Sequence, residues 1–110
     1  MEINSRKEDK GLIVSIKGRI DAVTAPDFEK SLSTWISQGE TVLIVNLSEL
    51  EYISSAGLRS ILAIAKVLKA KGGKLIFACL KGTVKDVFKI SGFGSIFQLY
   101  ESEQEALSQV

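Results

Sequence analysis

Histidine is absent from the 110 residues of this chain, and cysteine and proline each occur once. Without histidine there is no imidazole base for a serine or cysteine nucleophile and no imidazole ligand for a metal ion. The single cysteine, Cys79, excludes an internal disulfide and a CxxC metal site. Because Cys79 lies in an apolar run, we expect it to be a small core residue. The composition therefore makes a metal site improbable and leaves only the enzyme classes that use carboxylates and lysines; with the motifs described below, we expect no cofactor and no enzymatic activity.

Long apolar runs are also missing, since none approaches the roughly 18–20 residues of a membrane span. The N-terminal segment Met1–Lys7 contains no hydrophobic signal core. The chain is nevertheless 45% hydrophobic and 25% charged, which is ordinary for a globular domain with a real core. We therefore expect one domain over residues 1–110 and a cytoplasmic monomer that does not associate with membranes.

The net charge is only +1, but the basic residues are unevenly spread. Eight lysines and arginines lie between Arg59 and Lys89, together with a single acid, Asp86. This segment is either a solvated face or a docking face for an acidic partner, which would act mainly on association rate and specificity.

Apolar segments alternate with amphipathic ones along the chain. Thr24 and Pro26 predict the start of a first helix, residues 55–71 a second, Val84 and Phe88 a third, and a capping box at Ser102 a short C-terminal one. Strands are predicted to begin near Ile3 and to cover residues 12–17, 41–47, 74–80 and 96–100.

This order, β-β-α-β-α-β-α-β-α, predicts a small α/β domain with a mixed, mostly parallel sheet of four to five strands. The continuous apolar run at 41–47 is typical of a central strand buried on both faces. In such sheets, sites form where the carboxyl ends of strands meet helix N-termini. Two predicted loops, 18–24 and 47–55, should lie together at that edge.

Two serines stand where the second predicted loop becomes the second helix. Ser54 suits the N-cap, and Ser55 is then the first helical residue, with its hydroxyl pointing outward. A helix N-terminus favours an anion. Gly57, in the first turn, is a poor helix former, which indicates a close approach to the backbone at that point.

Two segments resemble the signature of the STAS domain family. Ile-Ser-Ser-Ala-Gly-Leu at 53–58 follows the apolar strand, and Gly-Arg-Ile-Asp at 18–21 is followed by Thr-Ala-Pro at 24–26. The element order and the length agree with the family over nearly the whole chain. The resemblance implies a STAS-like fold for the single domain 1–110.

Free-standing members of that family are bacterial anti-sigma factor antagonists. The resemblance implies that the unphosphorylated protein binds an anti-sigma factor that is also a serine protein kinase, which frees the sigma factor. Phosphorylation then switches this binding off, and a serine phosphatase restores it. Aligned on Gly57, the phosphoacceptor is Ser55, while Ser54 and Asn46 stand where many relatives have aspartate.

The resemblance also implies a docking surface at the carboxyl edge of the sheet and along the exposed face of the second helix. We expect Asp21 to lie near Ser55 and either to order its loop or to contact the kinase. The expected partner-binding residues are Asp21, Thr24, Ser54, Gly57, Arg59 and Ser60.

Three alternatives compete with this interpretation. The first is a STAS scaffold or sensor module that binds other regulatory proteins or, weakly, a nucleotide. The second, a serine hydrolase, lacks both histidine and a Gly-x-Ser-x-Gly elbow. The third, nucleic-acid binding through the lysine-rich segment, lacks a phosphate-binding loop and has only 7% aromatic residues, so we expect no direct nucleic-acid contact.

Overall fold

The computed structural model describes all residues from 1 to 110. The strands are β1 (Glu2–Glu8), β2 (Gly11–Ile20), β3 (Val42–Ile53), β4 (Lys74–Ala78) and β5 (Gln98–Tyr100). The helices are α1 (Ala25–Ser37), α2 (Ser55–Ala70), α3 (Gly82–Ile90), α4 (Phe93–Ile96) and α5 (Glu103–Ser108). No helix combines the length and the apolar composition needed to cross a bilayer.

The five strands form one sheet in chain order, β1-β2-β3-β4-β5. The β1–β2 pair is antiparallel, and the three remaining pairs are parallel. The predicted mixed, mostly parallel sheet and the predicted element order are therefore confirmed. The one addition is the single-turn helix α4, which begins after Gly92 in the left-handed region (φ 80°) and buries Phe93 against Phe88, with ring centroids 5.5 Å apart.

Two strands run further than the sequence indicated. Gly18 was expected to break β2, and residues 48–53 were expected to form a loop. Instead β2 and β3 continue side by side to Ile20 and Ile53. Irregularities in the register between Ser15 and Lys17 and between Gly18 and Arg19 absorb the break, and Gly18 adopts φ 101°, which glycine tolerates.

The extended part of β2 and β3 projects beyond β4, whose pairing with β3 ends at Ala78 opposite Asn46. Buried leucine and isoleucine side chains anchor this projecting arm, at Leu47, Leu50 and Ile53 of β3. The arm therefore holds the start of α2 on a rigid, hydrogen-bonded support.

The main core lies between the sheet and the helices on one of its faces, and it contains 21 buried residues. Phe77 of β4 is at its centre, with its ring edge-on to Phe88 and Phe97 at centroid distances of 5.2 and 5.3 Å. Such pairs contribute about 0.5–1.5 kcal/mol each beyond the burial of their area. α1 and α2 supply Phe28, Leu32, Ile61 and Ile64 to the same cluster.

The opposite face of the sheet is covered by the short helix α5. Ala106 of α5 packs on Ile13, Ile44 and Ile76, all of them nearly or fully buried. Cys79 lies at the border of this second cluster and is half-buried, and burial raises the pKa of its thiol. The prediction of a core residue is confirmed only in part, because Cys79 lies just beyond the end of β4 and packs at the edge of this cluster. A protonated thiol is a weak nucleophile.

A polar contact fastens α5 to the sheet at its first residue. Glu103 accepts hydrogen bonds from Arg6 Nη2 at 2.8 Å and from Asn46 Nδ2 at 2.6 Å. Ser102 caps the helix by accepting from the N–H of Glu105 at 3.0 Å. These bonds lower the pKa of Glu103, the hydrogen bond from Arg6 having the largest effect.

Candidate functional site

The carboxyl ends of β2 and β3 meet at one place, as the parallel order requires. Ile20 and Ile53 are paired in register, and the N–H of Ser54 donates to the carbonyl of Ile20 at 2.9 Å. The turn at Asp21–Thr24 and the helix start at Ser54–Ala56 therefore lie next to each other. We call these two segments together the rim.

Ser54 and Ser55 divide their roles at the start of α2 as the sequence predicted. Ser54 has an extended backbone, and its hydroxyl oxygen accepts from the N–H of Gly57 at 3.3 Å. Its carbonyl accepts from Leu58 N–H at 2.9 Å. Ser55 is the first helical residue and its side chain is exposed. A hydroxyl group is thus displayed on a capped helix start.

The backbone around Ser55 is suited to a negative charge. The N–H groups of Ser55 and Ala56 have no acceptor within the chain, as expected of the first residues of a helix. The first turn of α2 contains no acid that would oppose an anion. Arg59 lies one turn further along; it is exposed and takes part in none of the ion pairs of the structure.

The neighbouring turn of the rim is ordered by Asp21. Its Oδ1 accepts from the N–H groups of Val23 and Thr24 at 3.0 and 3.1 Å. The bond from the Thr24 N–H is the main reason why the pKa of Asp21 lies below its usual range. The turn therefore stays fixed down to a pH below the ordinary pKa of aspartate.

Thr24 does not cap α1 through its side chain, contrary to the prediction. Its hydroxyl instead donates to the carbonyl of Arg19 at 2.9 Å and accepts from the N–H of Asp21 at 2.9 Å. The reason is geometric: Thr24 has a helical backbone (φ −93°, ψ −19°), so the chain begins to turn at Asp21. Thr24 is half-buried, and its hydroxyl stabilises the turn by linking Arg19 to Asp21.

Substitutions of Asp21 distinguish the two roles expected for it, which are to order its loop or to contact a partner directly. We expect Asp21→Ala to loosen the turn and to weaken partner binding roughly tenfold, because the partner would have to order the loop on binding. Asp21→Asn keeps an acceptor oxygen and should retain most of the affinity. Hydrogen exchange at the amides of Val23 and Thr24, with calorimetry on the partner complex, measures both effects. An Asn variant as weak as the Ala variant would assign Asp21 a charge contact with the partner instead.

Gly57 is required by packing inside the domain. It is buried, and a Cβ atom at this position would lie 2.7 Å from Ile53 Cγ1, 2.8 Å from Ile20 Cγ2 and 3.1 Å from the Ile20 carbonyl oxygen. The close approach predicted from the sequence is therefore between α2 and the ends of its two supporting strands. Because Gly57 is buried in this packing, it offers little surface for a partner, and its expected part in partner binding stays a prediction.

Gly57→Ala should lower the free energy of unfolding. Overpacking costs about 1–3 kcal/mol, and the gain in helix propensity returns only about 1 kcal/mol. Because two of these contacts are shorter than 3 Å, overpacking should fall in the upper part of its range, about 2–3 kcal/mol, which leaves a net loss of about 1–2 kcal/mol in urea unfolding. Gly94→Ala is the matched control, because its Cβ would meet only Leu99 Cδ1 at an ordinary 3.6 Å. An unchanged unfolding midpoint for Gly57→Ala would contradict this packing role.

Ser60 is also less available than the sequence indicated. It was expected on the exposed face of the second helix, but it is only 6% exposed because it faces α1. It lies in a shallow groove between α1 and α2 with a volume of about 460 Å³. Small side chains, among them Ala25, Ala56 and Ala63, line this groove next to Ser55.

The sequence analysis missed one residue of the rim, Val23, and one beside it, Arg19. Val23 is 83% exposed at the tip of the Asp21 turn, an apolar side chain without cover. Arg19 lies over the ring of Tyr52, with its guanidinium carbon 4.2 Å from the ring centroid, and its Nε is 3.7 Å from Asp21 Oδ2. A valine inside a turn that Asp21 and Thr24 enclose was the available signal for Val23. Arg19 could be recognised only from the strand register.

No three Cys, Asp or Glu side chains converge in a way that could hold a metal ion. The rim instead combines an exposed hydroxyl, free N–H groups, an ordered acidic turn and an uncovered valine. The rim thus offers hydrogen-bonding groups and an apolar contact at the surface, beside a hydroxyl that is accessible to modification.

Comparison with known proteins agrees with this description. The STAS domain family model matches residues 2–106, and the chain belongs to this family. Members of this class of small regulatory domain include BtrV of Bordetella bronchiseptica, a candidate anti-sigma factor antagonist. BtrV is 39% identical over 106 residues, which cover 96% of this chain and 91% of BtrV.

Solved structures of anti-sigma factor antagonists share the fold. A candidate antagonist from Thermotoga maritima aligns with a TM-score of 0.93 at 22% identity, over 98% of this chain and 93% of its own. The anti-sigma factor antagonist SpoIIAA in its unphosphorylated form aligns with a TM-score of 0.84 at 25% identity, over 98% and 95%. SpoIIAA of Bacillus in its phosphorylated form aligns with a TM-score of 0.76 at 24% identity, over 98% of each chain.

Proposed function

We propose that this protein is an anti-sigma factor antagonist controlled by phosphorylation of Ser55. In the unphosphorylated form it binds an anti-sigma factor that is also a serine kinase, and the sigma factor is released. The kinase transfers a phosphoryl group from ATP to the Ser55 hydroxyl, and the complex separates. A serine phosphatase hydrolyses the phosphoserine and returns the protein to its binding form.

This proposal rests on the position of the Ser55 hydroxyl. The hydroxyl is exposed at a capped helix start, and the projecting arm supports that helix start. An acceptor must reach into the active site of a kinase, so it needs a rigid support that stands clear of the rest of the domain. The β2–β3 arm provides that support. SpoIIAA, which has this fold, is known in an unphosphorylated and a phosphorylated form, and this supports the same kind of switch here.

The phosphorylated chain should keep its fold. A phosphoserine carries about −1.5 to −2 charges at pH 7. At a helix N-terminus such a charge is favoured by roughly 0.3–1 kcal/mol, and the unused N–H groups of Ser55 and Ala56 lie beside it. Arg59, four residues along α2, is free to pair with it.

The partner surface in this proposal is the rim and the adjoining groove between α1 and α2. Val23 supplies an apolar contact, Asp21 and Thr24 keep its turn in place, and Ser54 holds the helix start. Arg59 lines both the groove and the region of the phosphate. The domain acts by binding, as a cytoplasmic monomer and a substrate of the kinase, and performs no catalysis itself.

Mass spectrometry after incubation with the host's anti-sigma factor kinase and ATP tests the proposal. We expect one phosphate on the wild-type chain, located at Ser55, and none on Ser55→Ala. Ser54→Ala is the control, since it removes the neighbouring hydroxyl and should still be phosphorylated. Phosphate on Ser54 would refute the assigned position, and an unmodified wild-type chain would favour a scaffold that binds other regulatory proteins.

A further inference from the structure

The basic residues of the central segment are left without partners by the folded structure. The four ion pairs all involve residues of the first forty positions and Glu103. None of the eight lysines and arginines between Arg59 and Lys89 takes part in one. Their charge is therefore available to a ligand of opposite sign.

Two of these lysines border an apolar groove at the far end of α2. The groove has a volume of about 350 Å³ and runs between the second half of α2 and the α4–β5 segment. Lys69 and Lys74 stand at its border, and no acidic residue lines it. Its apolar lining residues are Ala65, Leu68, Leu75, Ile96 and Phe97.

The groove has uncovered apolar surface as well as charge. Ile96 is 61% exposed at its wall, and Leu99 of the adjacent edge strand is 37% exposed. Burying such side chains against a partner removes apolar surface from water, which favours association. An occupant therefore gains from apolar side chains in the groove and from carboxylates at its border.

We propose that this groove docks an acidic, amphipathic segment of a partner protein. Apolar side chains of that segment lie against Ile96 and the groove floor, and its carboxylates pair with Lys69 and Lys74. Charge complementarity selects this occupant, because every charged side chain lining the groove is positive. A nucleic acid fits less well, since the one aromatic lining residue, Phe97, is half-buried among core side chains and offers no stacking platform.

The groove is separate from the rim. Ser55 and Lys69 are 14 residues apart on α2, which is about 21 Å along a helix axis. At physiological salt the Debye length is about 8 Å. The groove is therefore more than two Debye lengths from Ser55, and salt ions largely screen the charge of a phosphate on that residue. Binding in the groove should thus be nearly independent of the phosphorylation state.

Selection of peptides displayed on phage against the immobilised full-length chain tests this inference. We expect the enriched peptides to combine aspartate or glutamate with regularly spaced apolar residues. Their synthetic versions should shift the amide resonances of Ile96 and Gln98 in ¹⁵N-labelled protein. Fluorescence anisotropy should show affinity reduced roughly tenfold or more in the Lys69→Glu/Lys74→Glu variant.

Lys85→Glu/Lys89→Glu is the matched control, with the same change of net charge on α3, away from the groove. It should bind the peptides with nearly wild-type affinity, and so should Ser55→Glu. If both double variants lose the same affinity for the peptides, the loss reflects net charge alone, and the inference is wrong. Enriched peptides without acidic residues, no enrichment, or tighter binding of a single-stranded oligonucleotide at the same amides would also overturn it.

Discussion

Phosphorylation of Ser55 is expected to weaken binding to the anti-sigma factor roughly 100- to 1,000-fold, which corresponds to about 3–4 kcal/mol. In the free protein the phosphate is solvated and lies at a favourable helix N-terminus. In the complex it would have to be desolvated or meet like charge across the interface. Binding is thus lost at the interface, while the domain itself is barely perturbed.

Ser55→Glu should show the same effect at reduced size, roughly tenfold or more, since it adds one charge where a phosphate adds about two. Calorimetric titration of the purified anti-sigma factor with the wild type, phospho-Ser55 and Ser55→Glu gives the three affinities. Ser33→Glu is the control, because Ser33 is exposed in the middle of α1 and the same charge is added away from the rim.

We expect a local steric and electrostatic block, and matched structures of the two forms would decide it. We expect the Asp21 turn and the first turn of α2 to keep their hydrogen bonds after phosphorylation. A rearranged rim backbone in the phosphorylated form would mean that the switch works through refolding.

Asn46→Asp is expected to destabilise the protein by about 1.5–3 kcal/mol at neutral pH, the range for losing a hydrogen bond to a charged group. The N–H of Ser48 donates to Asn46 Oδ1 at 2.9 Å, which fixes the amide so that its NH₂ group faces Glu103. An aspartate there would place two carboxylates in hydrogen-bond contact. The amide of Asn46 therefore complements the carboxylate of Glu103, the first residue of α5.

The pH dependence of this variant should be opposite to that of the wild type. In the wild type the pKa of Glu103 is lowered, so its stabilising contacts are complete above the ordinary glutamate pKa and are lost as the pH falls through the lowered value. In Asn46→Asp the two carboxylates raise the pKa of the pair. The variant should consequently recover stability relative to the wild type as the pH falls and one carboxyl becomes protonated.

Urea unfolding between pH 4 and pH 8 measures this difference. Asn46→Asp/Glu103→Gln is the control, because a glutamine amide can donate to the new aspartate and should restore much of the stability at neutral pH. Hydrogen exchange of the amides of Ile13, Ile44 and Ile76, beneath α5, would show whether the helix detaches before the sheet unfolds. Equal stability of Asn46→Asp and the wild type at pH 7 would refute the contact.

The sequence alone determined the features that depend on short stretches of chain. The apolar runs and their alternation with helical faces gave the element order, and the bounds of α2 were predicted to within a residue of Ser55–Ala70. The cap at Ser54 and the outward hydroxyl of Ser55 follow from helix geometry, which is local. These features place an exposed hydroxyl at the helix start; its assignment as the phosphoacceptor came from the resemblance to the STAS family and stays a prediction.

Tertiary structure decided everything that depends on which distant residues meet. Only the pairing of β2 with β3 shows that both strands continue to the rim, because neighbouring strands satisfy backbone groups that a loop would leave to water. Only packing shows that Gly57 and Ser60 face inward and that Val23 faces outward. The partner of Asn46 lies 57 residues away in sequence, so no local pattern could reveal why this position is an amide.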